Sequence, residues 1–297
     1  MEQATAEPGR RRPPGCSALS RAAGEPLHAT APHATEWLLL EVRGAWKRDV
    51  ASGEGLDPRA RAAVLAWREG GAQDSRRVLY VRRPGRSTGA LLAFLVAAGE
   101  ERRAVRRLEL SGHDELEGLD LEAAGEPLGS SLVLVCAHGS RDRCCAAAGA
   151  ATFRTLEPML REDELWLSSH QGGHRFAANV LVLPAGIQLG RLDPILAREV
   201  VARAIEGEID LDRYRGRTCY PPPVQAAELA IRAATGATRL DALQLLRRDV
   251  EAGTVCFREP SGREHVAVVE TTTGPAVPAS CGATPEPQPR FSARVLP

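Results

Sequence analysis

The chain has 297 residues, of which 43% are hydrophobic, and its 38 basic residues balance 38 acidic ones. The length suggests two domains, and the apolar content suffices for the cores of an ordinary globular protein. A formal net charge of zero provides no overall field that would attract nucleic acid or an anionic membrane, so neither is expected as a partner. We find neither a stretch of about 18 apolar residues, as a membrane helix needs, nor the apolar segment of a secretory signal.

The cysteine content indicates the redox setting of the protein. There are seven cysteines, an odd number, and Cys144 and Cys145 are adjacent. Neither feature suits the disulfide framework of a secreted protein. A reducing cytoplasm is therefore the expected location, and clustered cysteine and histidine in that setting indicate metal or redox chemistry.

The N-terminal part of the chain is predicted to form a flexible arm followed by an α/β region. Residues 1–24 are rich in proline, arginine and glycine, which favours disorder. In the region 25–126, apolar runs predict strands at 37–42, 78–81 and 103–110, and a helix over 58–69 with proline in its first turn.

The pattern restarts after residue 126 and predicts a thioredoxin-like domain over residues 127–191. Its predicted elements are a buried strand at 131–136, a helix at 142–156, and strands at 164–168, 179–183 and up to Gly190. Parallel strands joined by a helix require an α/β sheet, and strand, helix, strand and then a strand pair is the thioredoxin order. The first region repeats the strand–helix–strand theme, which leaves a degenerate duplication open.

A mostly helical extension is predicted over residues 192–272. One helix begins after Asp193, a second begins near Val224, and Thr238 or Asp241 opens a third.

The end of the chain is predicted to form a hairpin and a tail. Strands at 254–259 and 265–270 flank a Ser-Gly turn and complete the extension. Residues 273–297 are rich in proline, glycine, serine and threonine, and they are predicted to form a flexible tail.

Two cysteines flank the junction between a predicted strand and a predicted helix. Cys136 ends the strand at 131–136, and Cys145 stands near the start of the following helix. The carboxyl edge of the sheet is where α/β folds place their sites, and a helix N-terminus stabilises the negative charge of a thiolate. The two thiols can therefore meet across the intervening loop.

The sequence His170-Gln171-Gly172-Gly173-His174 follows the next predicted strand. The glycines allow a backbone path that residues with a Cβ would resist, so both imidazoles can turn towards one metal. Two thiolates and two imidazoles suit either zinc or an iron–sulfur cluster. Zinc normally uses cysteines separated by two to four residues, whereas eight residues separate Cys136 from Cys145.

The motifs around these residues resemble one known family. The run C-x-H-G-S-R-D-x-C-C from residue 136 and the run S-H-Q-G-G-H-R-F-A-A-N-V-L-V-L-P from residue 169 are similar to the sucrase/ferredoxin-like proteins, and the likeness extends over about residues 16–240. The resemblance implies a thioredoxin-like ferredoxin with a bis-histidinyl [2Fe–2S] cluster. The implied ligands are Cys136, Cys145, His170 and His174. No pair of carboxylates suggests the glycoside hydrolysis in the family's name.

Other residues near these motifs receive less specific interpretations. Cys144 could replace Cys145 as a ligand, but the eight-residue spacing favours Cys145. Four residues are expected to fix the loops rather than bind metal, namely His138, Arg141, Asp142 and Arg175, although the arginines could also contact an electron partner. The other cysteines show no ligand spacing and are interpreted as incidental, namely Cys16, Cys219, Cys256 and Cys281.

One-electron transfer is the expected function. Cys136 and Cys145 would hold one iron, and His170 and His174 the other. Neutral imidazoles make such a cluster easier to reduce than thiolates do, and their free ring nitrogens could couple electron uptake to proton uptake. Because no G-x-G-x-x-G follows a predicted strand, the electron donor and acceptor are expected to be proteins. We expect an electron carrier rather than an enzyme with its own substrate.

Two other functions remain open on the sequence. The first is a structural zinc module that uses the same two cysteines and two histidines. The second is a thiol–disulfide oxidoreductase that uses Cys144 and Cys145, or Cys136, although it lacks the C-x-x-C at a helix start which that chemistry usually needs.

Overall fold

The structure is a computed structural model that describes residues 13–72, 75–86 and 88–297. None of the helices in these ranges combines the length and the apolar character that crossing a lipid bilayer requires. The elements of the first half are helix α1 (Cys16–Ala22), strand β1 (Glu36–Glu41), helix α2 (Pro58–Glu69) and strands β2 (Arg76–Arg82), β3 (Leu91–Ala98), β4 (Arg103–Leu110) and β5 (Glu126–Leu128).

The second half contains three more helices and nine strands among the described residues. In chain order they are β6 (Leu132–Cys136), α3 (Arg143–Leu156), β7 (Leu165–Ser168), β8 (Val180–Leu183), β9 (Ile187–Leu189), α4 (Pro194–Ile205), β10 (Tyr214–Arg217), α5 (Pro222–Thr235), β11 (Gln244–Asp249), β12 (Thr254–Arg258), β13 (Glu264–Pro278) and β14 (Pro285–Val295). The mixed α/β class predicted from the sequence is confirmed.

Aspartates fix the starts of three of these helices. The side chains of Asp57, Asp142 and Asp193 accept hydrogen bonds from backbone N–H groups in the first turns of α2, α3 and α4. Such a cap typically contributes about 1 kcal/mol. Pro58 and Pro194 occupy the first position of α2 and α4, where a missing N–H costs no hydrogen bond.

The strands form two sheets. Ten of them make one mixed sheet in the order β10-β9-β8-β6-β7-β2-β1-β3-β4-β5, and the other four make an antiparallel sheet in the order β11-β12-β13-β14. Helix α5 packs on the smaller sheet, where Val224 and Ile231 meet Val255 and Phe257.

The large sheet contains two halves with the same strand arrangement. In the second half, β6 is parallel to β7 and antiparallel to β8, which is antiparallel to β9. In the first half, β1 is parallel to β2 and antiparallel to β3, which is antiparallel to β4. The halves join where β2 and β7 pair antiparallel, at Val81 with Ser168 and Arg82 with Leu167. The regions on either side of residue 127 therefore share one sheet.

Strand β6 lies inside this sheet and is buried on both faces. Val133 and Val135 belong to the core that helices α3 and α4 cover, whereas Leu132 and Leu134 pack on the opposite face. A strand buried on both faces has a continuous apolar sequence, which is why its position was predictable. Cys136 stands at the carboxyl end of this inner strand and remains buried there.

The predicted N-terminal arm needs correction where it is described. Residues 1–12 lie outside the described ranges. Residues 16–22 form helix α1 rather than a flexible segment. The helix is anchored because Ser17 Oγ donates to Ala177 O at 3.3 Å and the carboxylate of Glu25, just beyond it, pairs with Arg175 at 2.6 Å.

The helix predicted from Thr238 or Asp241 is also wrong. A single turn at Leu240–Ala242 leads instead into strand β11. Buried Arg232 determines this path, because its guanidinium donates to Arg239 O at 2.7 Å and to Leu240 O at 3.1 Å. Arg239 O also accepts a hydrogen bond from Ala242 N at 3.1 Å, which closes the single turn, and these bonds tie the segment after α5 back to that helix.

The predicted flexible tail is a β-hairpin. Strand β13 continues through residue 278, well beyond the end predicted from the sequence, and β14 pairs with it antiparallel. The prolines of β14 do not prevent this, because β14 is the outer strand of its sheet and proline is tolerated at sheet edges. The hairpin between 254–259 and 265–270 is confirmed as β12 and the first part of β13.

Candidate metal centre

The strand–helix junction brings two thiols to one buried point. Cys136 is the last residue of β6 and Cys145 lies in the first turn of α3, and they are 1% and 0% exposed. Helix α3 approaches the strand end closely at Gly149, where a Cβ would lie 2.1 Å from the carbonyl oxygen of Cys136. Glycine at this position is therefore required for the two thiols to meet.

The loop after β7 brings two imidazoles to the same point. Gly172 and Gly173 have φ angles of 97° and 72°, a left-handed backbone that glycine adopts without strain. A Cβ on Gly173 would also lie 2.7 Å from the Phe176 ring. This tight loop stacks the rings of His170 and His174, with centroids 3.7 Å apart and an interplanar angle of 19°.

The four residues singled out from the sequence converge in space. Donor atoms of Cys136, Cys145 and His170 all lie within 4.8 Å of one another. The Sγ atom of Cys145 lies 3.6 Å from Nδ1 of His174. The structure thus brings together two thiols and two imidazoles from three separate segments of the chain.

Burial controls the protonation of this group. The hydrogen bond with Cys145, together with the backbone N–H groups of Gln171 and His138, lowers the pKa of the Cys136 thiol. The same contact and burial raise the pKa of Cys145. Burial lowers the pKa of His170 to about 2 and that of His174 to about 4, so both imidazoles are neutral at pH 7.

One ring nitrogen of this group is buried without a partner. Nδ1 of His170 has no hydrogen-bond partner among the residues that the structure describes. An unsatisfied buried polar atom costs about 1–3 kcal/mol, so a partner at this atom is expected.

Arg215 of β10 supports the glycine loop and was missed as a site residue. Its guanidinium donates to Gly172 O and to Asn179 Oδ1, both at 2.9 Å, and Nε donates to Thr30 Oγ1 at 3.0 Å. Burial lowers its pKa to about 9, and among the described residues no carboxylate forms an ion pair with it. Its positive charge therefore lies near the thiols of Cys136 and Cys145, and no ion pair with a described carboxylate neutralises it. The sequence signal was its place in Tyr214-Arg215-Gly216, within the stretch covered by the family resemblance.

Three of the expected loop residues have defined contacts. His138 Nδ1 accepts a hydrogen bond from His170 N at 3.2 Å while its Nε2 donates to Lys47 O at 2.8 Å, so both ring nitrogens are occupied. Arg175 pairs with the buried carboxylate of Glu25 at 2.6 Å. Asp142 caps helix α3. These contacts hold the loops around the cysteines and histidines.

A cleft of about 740 Å³ opens beside His170 and contains Arg141. Five arginines line it against only two carboxylates, namely Arg48, Arg68, Arg76, Arg77 and Arg141 with Asp49 and Glu69. Arg76 forms ion pairs with Glu36 and Glu122, so the other four arginines give the lining of the cleft its positive charge. Solvent can therefore reach the histidine side of the group across a basic surface.

Cys144, which the eight-residue spacing disfavours as a ligand, points away from this group. Its Sγ lies 3.4 Å from that of Cys281, in the turn between β13 and β14. Cys16 and Cys281, interpreted as incidental from the sequence, both lie beside it. Cys219 and Cys256 lie elsewhere, without a ligand set among the described residues.

Fold and site together define an α/β protein with a buried cluster of cysteine and histidine at the edge of its sheet. Residues 27–216 match the profile of the family described as Sucrase/ferredoxin-like, and the chain belongs to that family. The matched range contains all four converging residues.

Curated relatives match shorter parts of the chain. Altered inheritance of mitochondria protein 32 of Meyerozyma guilliermondii is 29% identical over 118 residues, which cover 36% of this chain and 42% of that protein. The protein of the same name from Eremothecium gossypii is 33% identical over 154 residues, which cover 42% of this chain and 49% of that protein. The match thus spans less than half of these relatives. No solved structure matches the chain.

Proposed function

We propose that the protein binds a [2Fe–2S] cluster through Cys136, Cys145, His170 and His174 and transfers single electrons between protein partners. The observation that carries this proposal is the convergence of two thiols and two imidazoles on one buried point.

The donor set fits such a group. Two cysteines and two histidines are the ligands of bis-histidinyl [2Fe–2S] centres. In the metal-free site the lowered pKa of Cys136 favours its thiolate, whereas the raised pKa of Cys145 keeps that thiol protonated, so binding of the cluster would release its proton. The low pKa values of the imidazoles keep their lone pairs free for a metal. A bond to iron would also satisfy a ring nitrogen of His170 that is buried without a partner in the described residues.

The strand arrangement supports a thioredoxin-like unit around the site. The order β7-β6-β8-β9, with β6 parallel to β7, is consistent with a strand–helix–strand unit followed by a strand pair, and this supports the proposal of a thioredoxin-like unit. Cys136 ends the central strand of that unit.

Different residues around the site are proposed to tune the charge, exclude water and position the ligands. When bound, a cluster with two neutral imidazoles accepts one electron at a higher potential than an all-thiolate cluster. Arg215 offsets the charge of the two thiolates, and the nearly complete burial of Cys136 and Cys145 excludes water from them. His138 fixes the backbone of His170, which faces the basic cleft.

The proposed electron donor and acceptor are both proteins. Because the sequence of the chain shows no dinucleotide-binding fingerprint, electrons come from one protein and pass to another. The basic cleft beside His170 favours partners with an acidic surface. Free thiolate ligands also need a reducing compartment, such as the cytoplasm expected from the cysteine content.

Metal and sulfide analysis of protein purified without oxygen tests the proposal. We expect about two irons and two acid-labile sulfides per chain, together with a visible chromophore. Zinc without sulfide, lost on substitution of Cys145 or His174, would instead support a Cys2His2 zinc module. An intramolecular disulfide between Cys136 and Cys145 in metal-free protein would support thiol–disulfide chemistry.

A further inference from the structure

A second group of thiols lies on the other side of helix α3. Cys16 begins α1, Cys144 lies in the first turn of α3, and Cys281 lies in the turn between β13 and β14. Their donor atoms and a carboxylate oxygen of Asp142 all lie within 4.8 Å of one another. Cys16 and Cys281 are 265 positions apart in the sequence, so no local sequence motif indicates this group.

Four of the six distances within this group lie within about 0.4 Å of the edges of a metal-centred tetrahedron. The Sγ atom of Cys281 lies 3.4 Å from that of Cys144 and 3.7 Å from that of Cys16. Oδ1 of Asp142 lies 3.7 Å from the sulfur of Cys16 and 3.5 Å from that of Cys281. Tetrahedral zinc, with Zn–S bonds of about 2.3 Å and a Zn–O bond of about 2.0 Å, requires S···S edges of about 3.8 Å and S···O edges of about 3.5 Å.

We propose that Cys16, Cys144, Cys281 and Asp142 bind one Zn²⁺ ion in a structural site. This site adjoins the cysteine–histidine centre, because a carboxylate oxygen of Asp142 also lies within 4.8 Å of donor atoms of Cys145 and His174. Three thiolates select a soft or borderline metal, and four protein ligands leave no open position for chemistry. Adjacent helix residues point about 100° apart, so α3 directs Cys144 to this site while Cys145 faces His174.

Hydrogen bonds and close packing hold the four proposed ligands in place. The Asp142 carboxylate accepts hydrogen bonds from Cys144 N and Cys281 N, both at 2.7 Å, which fixes its orientation between the thiols. The chain passes so closely over Cys144 that a Cβ on Gly15 would lie 2.4 Å from its sulfur. Arg143 holds this segment from outside by donating to Pro13 O at 2.7 Å.

Zinc at this position would connect the two ends of the described chain to the helix that carries Cys145. Helix α1 contacts the loop after His174, where Ser17 Oγ donates to Ala177 O at 3.3 Å. The site would therefore hold α1 and the terminal hairpin over the cysteine–histidine centre. Metal binding that joins distant segments contributes directly to folding stability.

Zinc content of the full-length protein and of matched variants tests this proposal. Cys281→Ser and Cys16→Ser should each lower zinc by about one ion per chain and leave iron and sulfide unchanged. Cys219→Ser is the control, because Cys219 is half-buried like Cys281 but lies outside the group. Cys145→Ser should keep this zinc whatever happens to iron, so a failure of the cluster proposal is distinguishable. Equal zinc in wild type and Cys281→Ser overturns the site.

A measurement on the wild-type protein avoids any folding defect of the variants. Treatment with a zinc chelator should raise the alkylation rates of Cys16, Cys144 and Cys281 together by about tenfold or more, and leave that of Cys219 unchanged. Rates that do not respond to the chelator contradict the proposal. A peptide linked through Cys144 and Cys281 in protein purified without oxygen would identify the pair as a disulfide instead.

Discussion

The Sγ atom of Cys145 lies 3.6 Å from Nδ1 of His174, although 29 residues separate them along the chain. The contact forms because α3 begins at the end of β6, and the glycine loop follows the parallel strand β7 at the same sheet edge. The Sγ atom of neighbouring Cys144 instead lies 3.4 Å from that of Cys281. The two adjacent cysteines therefore belong to different groups.

Substitution of the two adjacent cysteines should separate their roles. Cys145→Ser should abolish or strongly alter the visible chromophore and lower the iron content, because it removes a proposed cluster ligand. Cys144→Ser, the matched control one residue away, should keep both. Absorption spectra and iron analysis of anaerobically purified variants measure the difference. The reverse pattern would assign the cluster to Cys144.

Arg215→Lys should disturb the centre as well as the fold. A lysine cannot reproduce the guanidinium's bonds to Gly172 O and Asn179 Oδ1, and leaving such buried acceptors unsatisfied costs about 1–3 kcal/mol. Denaturant unfolding measures this loss, and iron analysis should show weaker cluster retention.

Arg217→Lys is the control, since Arg217 is also buried on β10 but contacts Tyr220 OH at 3.3 Å. It should destabilise the fold and leave iron content unchanged in the folded protein. Equal iron loss in both variants would mean that Arg215 has no specific role at the glycine loop.

Gly149→Ala should prevent the close approach of α3 to the end of β6. A Cβ there would lie 2.1 Å from the Cys136 carbonyl oxygen, and relieving such an overlap costs about 1–3 kcal/mol. Gly118→Ala is the control, because nothing lies within 4 Å of the Cβ it would add. Thermal unfolding should show a clear loss for Gly149→Ala alone, and an unaffected Gly149→Ala would contradict the packing described here.

The histidines should set the redox potential. Two-imidazole [2Fe–2S] centres have midpoint potentials of about −150 to +300 mV, whereas plant-type clusters lie near about −400 mV. The native protein should fall in the higher range. His170→Cys and His174→Cys should each lower the potential, because a thiolate adds negative charge to the cluster. Protein-film voltammetry measures both, and a native value near that of plant-type clusters would exclude imidazole ligation.

The sequence predicted those parts of the molecule that local patterns determine. The apolar run of β6 indicates a buried strand, and the glycines between His170 and His174 indicate a tight loop. Strand β3 was not predicted, although its apolar run at 91–98 is equally typical of a buried strand. The strand–helix–strand unit predicted the convergence of the two motifs at one sheet edge.

Tertiary contacts decided what the sequence could not predict. Strand β14 tolerates its prolines only because it lies at the edge of the smaller sheet, which no local pattern reveals. Return of the β13–β14 hairpin to the start of α3 brings Cys281 to Cys144 and Cys16. Spacing along the chain carries no information about such a contact, so these cysteines could not be grouped in advance.

Ligation of one [2Fe–2S] cluster by two imidazoles and two thiolates would give the reduced protein a characteristic pulsed EPR spectrum. In protein prepared with and without ¹⁵N-labelled histidine, we expect strong couplings to two histidine nitrogens. These couplings should change with the label and decrease to one in His174→Cys. A reduced cluster without histidine couplings, or a protein that binds no iron when purified without oxygen, would contradict this ligation.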